Sequence, residues 1–181
     1  MKKMMLLLAS LVALTACSQS KQATKESTSN QTTKETKVSE SSKEEKGLKF
    51  VVAPQYEGKT TELIELGKKL VKEHPELGSE GNMALYFTGA ISEGRAALML
   101  VNKTDVDIKK DLNFSITWSY DSKTIFENQK VSYLIKDSGE LPSHTATMIL
   151  LPLNEEQMKI VDGMSDPSKM KLQMSDVNAV E

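Results

Sequence analysis

Between Asp111 and Ser119 apolar and polar positions alternate without a break. Leu112, Phe114, Ile116 and Trp118 fall on one side, and Asn113, Ser115, Thr117 and Ser119 on the other. A period of two predicts a strand with one buried and one wet face. Weaker forms of the same signal occur elsewhere. Leu48, Phe50 and Val52 alternate with Lys49, Val51 and Ala53 and are stopped by Pro54, which predicts a first short strand. Met83–Thr88 and Arg95–Asn102 flank a loop carrying Gly89 and Gly94, a hairpin signal. Lys130–Lys136 and Thr145–Leu151 are separated by a turn around Asp137-Ser138-Gly139, and Lys169–Val177 places Met170, Leu172 and Met174 on one face.

The period changes over residues 61–73, where Leu63, Ile64, Leu66, Leu70 and Val71 share one side of a helix. Glu62 and Glu65 stand in its first turn and Lys68, Lys69 and Lys72 in its last, matching the helix dipole, and Glu65–Lys69 forms an i,i+4 pair. Pro75 holds His74 out of helical geometry and ends the helix. Such a helix is expected against one edge or end of a sheet. Asn154 followed by Gln157 predicts a capping box and a short helical segment ending near Gly163. About seven short strands with turns between them predict a mainly β fold. The architecture expected is an antiparallel immunoglobulin-like β-sandwich with an N-terminal amphipathic helix and a short second helix. No βαβ unit repeats, which argues against a doubly wound nucleotide-binding fold.

The amino-terminal part has a different composition. Lys2 and Lys3 precede the apolar run Met4–Leu14, which is too short to span a bilayer stably and ends in small residues. Residues 18–46 are almost wholly Ser, Thr, Gln, Asn, Lys and Glu, interrupted only by Ala23 and Val38. They cannot bury enough apolar surface to offset ordering entropy, which predicts a flexible tether with a root-mean-square reach on the order of 30 Å. The division is therefore 1–16, a signal peptide; 17–46, a tether; and 47–181, one β domain. Lys2 and Lys3 supply two of the positive charges and residues 18–46 a net one more, so the chain's −2 leaves −5 on residues 47–181. An acidic domain is a poor binder of nucleic acid or anionic lipid.

Cys17 is the single cysteine of the chain. Its uniqueness excludes an intramolecular disulfide, Cys-rich zinc sites and dithiol exchange. Leu14-Thr15-Ala16-Cys17 resembles the lipobox of Gram-positive bacterial lipoproteins. That resemblance implies removal of residues 1–16 and diacylglycerol on the Cys17 sulfur, with two acyl chains giving durable anchoring. The protein would sit at the outer face of the plasma membrane, contacting it through the lipid. Asn102-Lys103-Thr104-Asp105 after an apolar strand, Gly139-Glu140-Leu141-Pro142, and a strand ending in Pro152 resemble the SLAP domain family linked to S-layer assembly. The resemblance covers Leu98 to Leu153 and implies an envelope-assembly or accessory role, with an envelope protein or wall polymer as partner and no catalytic residues.

Candidate chemistry in the domain is sparse. The two histidines, His74 and His144, lack ligand spacing and read as helix-end and strand-entry residues. Asp105, Asp107 and Asp111 depart from the calcium-loop pattern and include Lys109 and Lys110, so a solvated loop is expected. Met83, Met99, Met148, Met170 and Met174 fall in strand patterns as core fillers, whereas Met158 and Met164 are expected to face outward. No Gly-x-Ser-x-Gly elbow is present. The expectation is a non-enzymatic lipoprotein with no metal or cofactor. The alternative is a small-ligand or metal-binding lipoprotein.

A protease applied to the purified protein should cut between Ser18 and Lys46 long before it attacks residues 48–177, because the polar segment has no core to protect it. Strong amide protection in that segment would overturn the two-part reading.

Overall fold

The computed structural model describes residues 47–180. The expected lipobox residues Leu14, Thr15, Ala16 and Cys17, with the whole segment to residue 46, lie outside the described residues. The domain runs β1 (Lys49–Phe50), α1 (Glu62–Glu73), β2 (Met83–Ser92), β3 (Arg95–Asn102), β4 (Leu112–Tyr120), β5 (Lys123–Tyr133), α2 (Ile135–Ser138), β6 (Thr145–Pro152), α3 (Glu155–Asp162) and β7 (Met170–Ala179). The strands form two sheets, ordered β1-β6-β3-β2 and β5-β4-β7. Every ladder is antiparallel except β1–β6, which is parallel, so the antiparallel expectation fails at that one pairing.

The two sheets share a core. Leu85, Leu98, Leu100 and Leu151 of the first pack with Phe114, Ile116, Trp118 and Phe126 of the second. The alternation expected in β4 holds on its apolar side, with Leu112, Phe114, Ile116 and Trp118 all buried. Trp118 stacks at a tilt on Phe87, ring centroids 4.9 Å apart, and its buried Nε1–H reaches no acceptor among the described residues. Ser115 is the exception on the polar side. It is fully buried, donating to Asp176 Oδ2 at 2.8 Å and accepting from Lys130 Nζ at 2.7 Å.

A second cluster lies on the opposite face of the first sheet, where Val71 of α1 packs with Leu48, Met99, Val101 and Ala146. The helix thus covers a sheet face near β1 and β6 rather than an edge or end. Thr61 caps its start by accepting from Ile64 N, and Lys68 pairs with Glu65 at 3.1 Å in place of the expected Glu65–Lys69 pair. A glycine inside a helix costs about 1 kcal/mol relative to alanine. Gly67 is explained by the Phe50 ring, which lies 2.3 Å from where its Cβ would stand, so α1 can lie close to β1 only without a side chain there. Asn154 and Gln157 form the capping box of α3.

Two hairpins turn on paired left-handed residues: Glu93 and Gly94 (φ 50° and 71°) between β2 and β3, Asp121 and Ser122 (φ 48° and 65°) between β4 and β5. This geometry matches the right-handed twist of the strands it joins. Gly89, expected in the first loop, lies instead within β2, where the register shifts between Phe87 and Ile91. β5 starts seven residues before the expected Lys130 and ends before Lys136, which belongs to α2.

Phe114→Ala should cost about 3–5 kcal/mol by removing a buried ring from the shared core. Thr117→Ala, half-buried and out of phase, should cost about 1 kcal/mol or less. Urea unfolding of the two variants checks the register. A larger loss for Thr117→Ala would exchange the faces of β4.

Candidate functional site

Strand β1 supports β6 for only two residues. Its ladder pairs Lys49 with Thr145 and Phe50 with Ala146, extended by hydrogen bonds from Lys49 N to His144 O (3.2 Å) and Val51 N to Ala146 O (2.8 Å). Pro54 then opens a 3₁₀ turn, Pro54–Tyr56, and the chain leaves the sheet. Since His144 and Ala146 direct their backbone groups to the β1 side, alternation directs those of Met148 and Leu150 the same way. On the opposite side β6 follows β3, and Leu153 N bonds to Gly94 O. Among the described residues no strand pairs with Met148 and Leu150 on that side, and they form an open stretch of sheet edge. Pro152, with no N–H, stands at its end.

A groove of about 1090 Å3 follows this edge. Val52 and Ala53, Leu63 and Leu66 of α1, and Met148 and Leu150 give it apolar walls, and β5 contributes Val131, Ser132 and Tyr133. Tyr133 is anchored rather than displayed. Its buried hydroxyl donates to Gly139 O at 2.9 Å, and burial pushes its pKa up to about 12. Charged side chains in the lining are Glu62, Glu93, Arg95 and Asp137. Arg95 is paired with Glu93, while Glu62 and Asp137 have no ion-pair partner among the described residues. Met148, expected in the core, is half-buried and lines this groove, whereas Met164, expected outside, packs against the main core.

The polar residues of the sequence motifs gather elsewhere. Asn102 is fully buried, with Nδ2 2.9–3.1 Å from the carbonyls of Val106, Leu141 and Pro142, and Oδ1 accepting from Thr104 N and Oγ1. One side chain thus ties the Lys103–Asp107 turn to the loop before β6. Beside it, Ser143 Oγ lies 2.7 Å from His144 Nδ1, and His144 Nε2 lies 3.0 Å from Glu80 Oε2. Glu80 also meets the nearly buried Lys103 at 3.4 Å. The series has the residue types of a hydrolytic triad, and its contacts join the segments that carry Glu80, Thr104 and Ser143. Ser143 Oγ is also 2.6 Å from Thr104 O, an atom that can only accept, so a backbone carbonyl competes with the imidazole for the hydroxyl hydrogen. The cluster is a strut between loops.

The electrostatics agree. The hydrogen bond from His144 holds the Glu80 carboxyl below its ordinary range, and the Ser143 backbone N–H, followed by Lys109, does the same for Asp107. Both pKa values are depressed, so the contribution of these loop contacts is present at neutral pH. It is lost as pH falls through values below the ordinary 4.5 and 3.8. The three aspartates of this region do not converge. Asp107 bonds to Ser143 and Lys109, and Asp111 accepts from Ile135 N at the start of α2. His74 pairs with Glu76 at the surface. Among the described residues no group of His, Cys, Asp and Glu side chains is placed to hold a metal. Comparison with known proteins finds no matching family model, curated protein or solved structure.

Asn102→Ala should destabilise the domain by about 3 kcal/mol, because buried carbonyls lose their donor. Asn102→Asp should cost more, since it sets a carboxylate against three carbonyl oxygens. Urea midpoints rank the two, and a milder effect for the aspartate variant would show that this tie does not hold the loops.

Proposed function

We propose that this chain is a non-enzymatic, membrane-anchored extracellular lipoprotein of the Gram-positive envelope that works as a binding or envelope-assembly accessory module. In this reading Leu14-Thr15-Ala16 direct cleavage before Cys17, the lipid on Cys17 holds the protein at the outer face of the plasma membrane, and residues 18–46 carry the domain away from it. The domain is an immunoglobulin-like sandwich, and the resemblance of Leu98–Leu153 to SLAP domains belongs to the same proposal. The observation that carries the binding role is the groove beside Met148 and Leu150. Unpaired backbone groups next to an apolar wall suit strand addition by a protein partner. A second reading, a small-ligand carrier, draws on the groove's volume, which reaches the upper range of ligand pockets.

Cys17→Ser tests the anchor. The variant should be unlipidated and move from the membrane fraction to the medium, or accumulate as uncut precursor, because the acidic domain offers no second membrane signal. A variant still cleaved after Ala16 and tightly membrane-bound would overturn the lipoprotein reading.

A further inference from the structure

We infer that the groove along the open half of β6 receives one extended segment of a partner protein, apolar at alternate positions and basic rather than acidic. The inference rests on the binding role proposed above and names its site and the chemistry of its partner. Three observations converge. First, Met148 and Leu150 direct N–H and C=O groups away from β3 along an edge that β1 has already left at Pro54. A fourth backbone on that side would continue the sheet where β1 stops.

Second, the walls beside the edge are apolar, formed by Val52, Ala53, Leu63 and Leu66. Side chains of an added strand alternate across the sheet plane, so every second one would meet α1 while the others turn toward the β5 side. That requires apolar residues at one parity only. Third, the charges choose the sign of the partner's charge. Arg95 is occupied by Glu93, which leaves Glu62 and Asp137 without an ion-pair partner among the described residues, on a domain of net charge −5. A cationic segment is steered to such a rim and an anionic one repelled. The same argument disfavours a second copy of this chain, whose identical acidic rim would face this one across a two-fold axis.

The test uses the full-length chain in detergent micelles and a fluorescein-labelled probe peptide, Lys-Val-Thr-Val-Thr-Val-Lys, with Glu-Val-Thr-Val-Thr-Val-Glu as its charge-reversed counterpart. The lysine peptide is expected to bind with slowed amide exchange at Met148 and Leu150. The double variant Glu62→Lys with Asp137→Lys, both at the surface, should weaken it by about tenfold and favour the glutamate peptide. Failure of the lysine peptide to protect those two amides, or equal protection by the glutamate peptide, overturns the inference. So does concentration-dependent protection without peptide accompanied by dimers in sedimentation, since the occupant would then be a second copy. Photocrosslinking on intact cells separates the site from the wider role. Capture of a partner from a benzophenone placed at Leu150, but not from one at exposed Val106 or Val177, is expected. Capture only from Val106 or Val177 would overturn this site while leaving the binding role in place, and no capture from any of the three would count against both.

Discussion

Ala96 to Val101 have no exposed surface, and the arrangement of the domain follows from that one stretch of β3. A strand faces two ways, so its complete burial demands a layer on each side. Ala96, Leu98 and Leu100 belong to the core shared with β4 and β5, while Met99 and Val101 belong to the cluster under α1. The sequence has one cysteine, so no disulfide within the chain can replace this packing. The strand ends at Asn102, the point where apolar burial gives way to a hydrogen-bonded tie between two loops. Core and loop geometry are therefore joined at adjacent residues.

The same layering explains why one sheet edge is left open. α1 must cross the sheet to cover Met99 and Val101, and the chain reaches it from β1 through the Pro54 turn. A longer β1 would pair with Met148 and Leu150 but would lengthen the path to a helix that already rests on the Phe50 ring at Gly67. Other edges carry devices that discourage pairing. β2 has a register shift near Gly89, β5 carries Lys123, Glu127 and Lys130, and β7 carries Lys171 and Asp176. The open part of β6 reads Met-Ile-Leu-Leu before Pro152 and has no charge of its own.

Local chemistry was legible in the sequence. The alternation of Leu112–Trp118, the helical spacing of residues 61–73 and the capping box at Asn154 each express a rule that operates within a few residues. The first half of β5 was not legible, because Asp121-Ser122 makes a tight turn without glycine or proline and Glu127-Asn128-Gln129-Lys130 has no apolar period. The candidate site was less legible still. Met148 and Leu150 look like core residues until it is known that their neighbour, β1, lies almost a hundred positions earlier in the chain and stops short. Ser143, His144 and Glu80 likewise meet only through the fold, where Ser143 also bonds to the Thr104 carbonyl.

The two outer faces of the sandwich also differ, and the difference limits where a partner can gain apolar contact. On β4 the outward Ser115 is covered by Lys130 of β5 and Asp176 of β7, a polar tie across three strands with both charged groups largely exposed. The register shift between Asn113 and Ser115 and the left-handed backbone of Asp176 (φ 52°) bring that carboxylate over the serine. A partner docking there would have to dehydrate an ion pair for little apolar gain. On the other sheet the outward residues are Met99, Val101, Ala146 and their neighbours, and α1 covers them toward Val71 but leaves Met148 and Leu150 half-exposed beside Leu63 and Leu66. Apolar area and unpaired backbone coincide there, so binding at that place would gain from both at once, and the wet face of the second sheet offers neither.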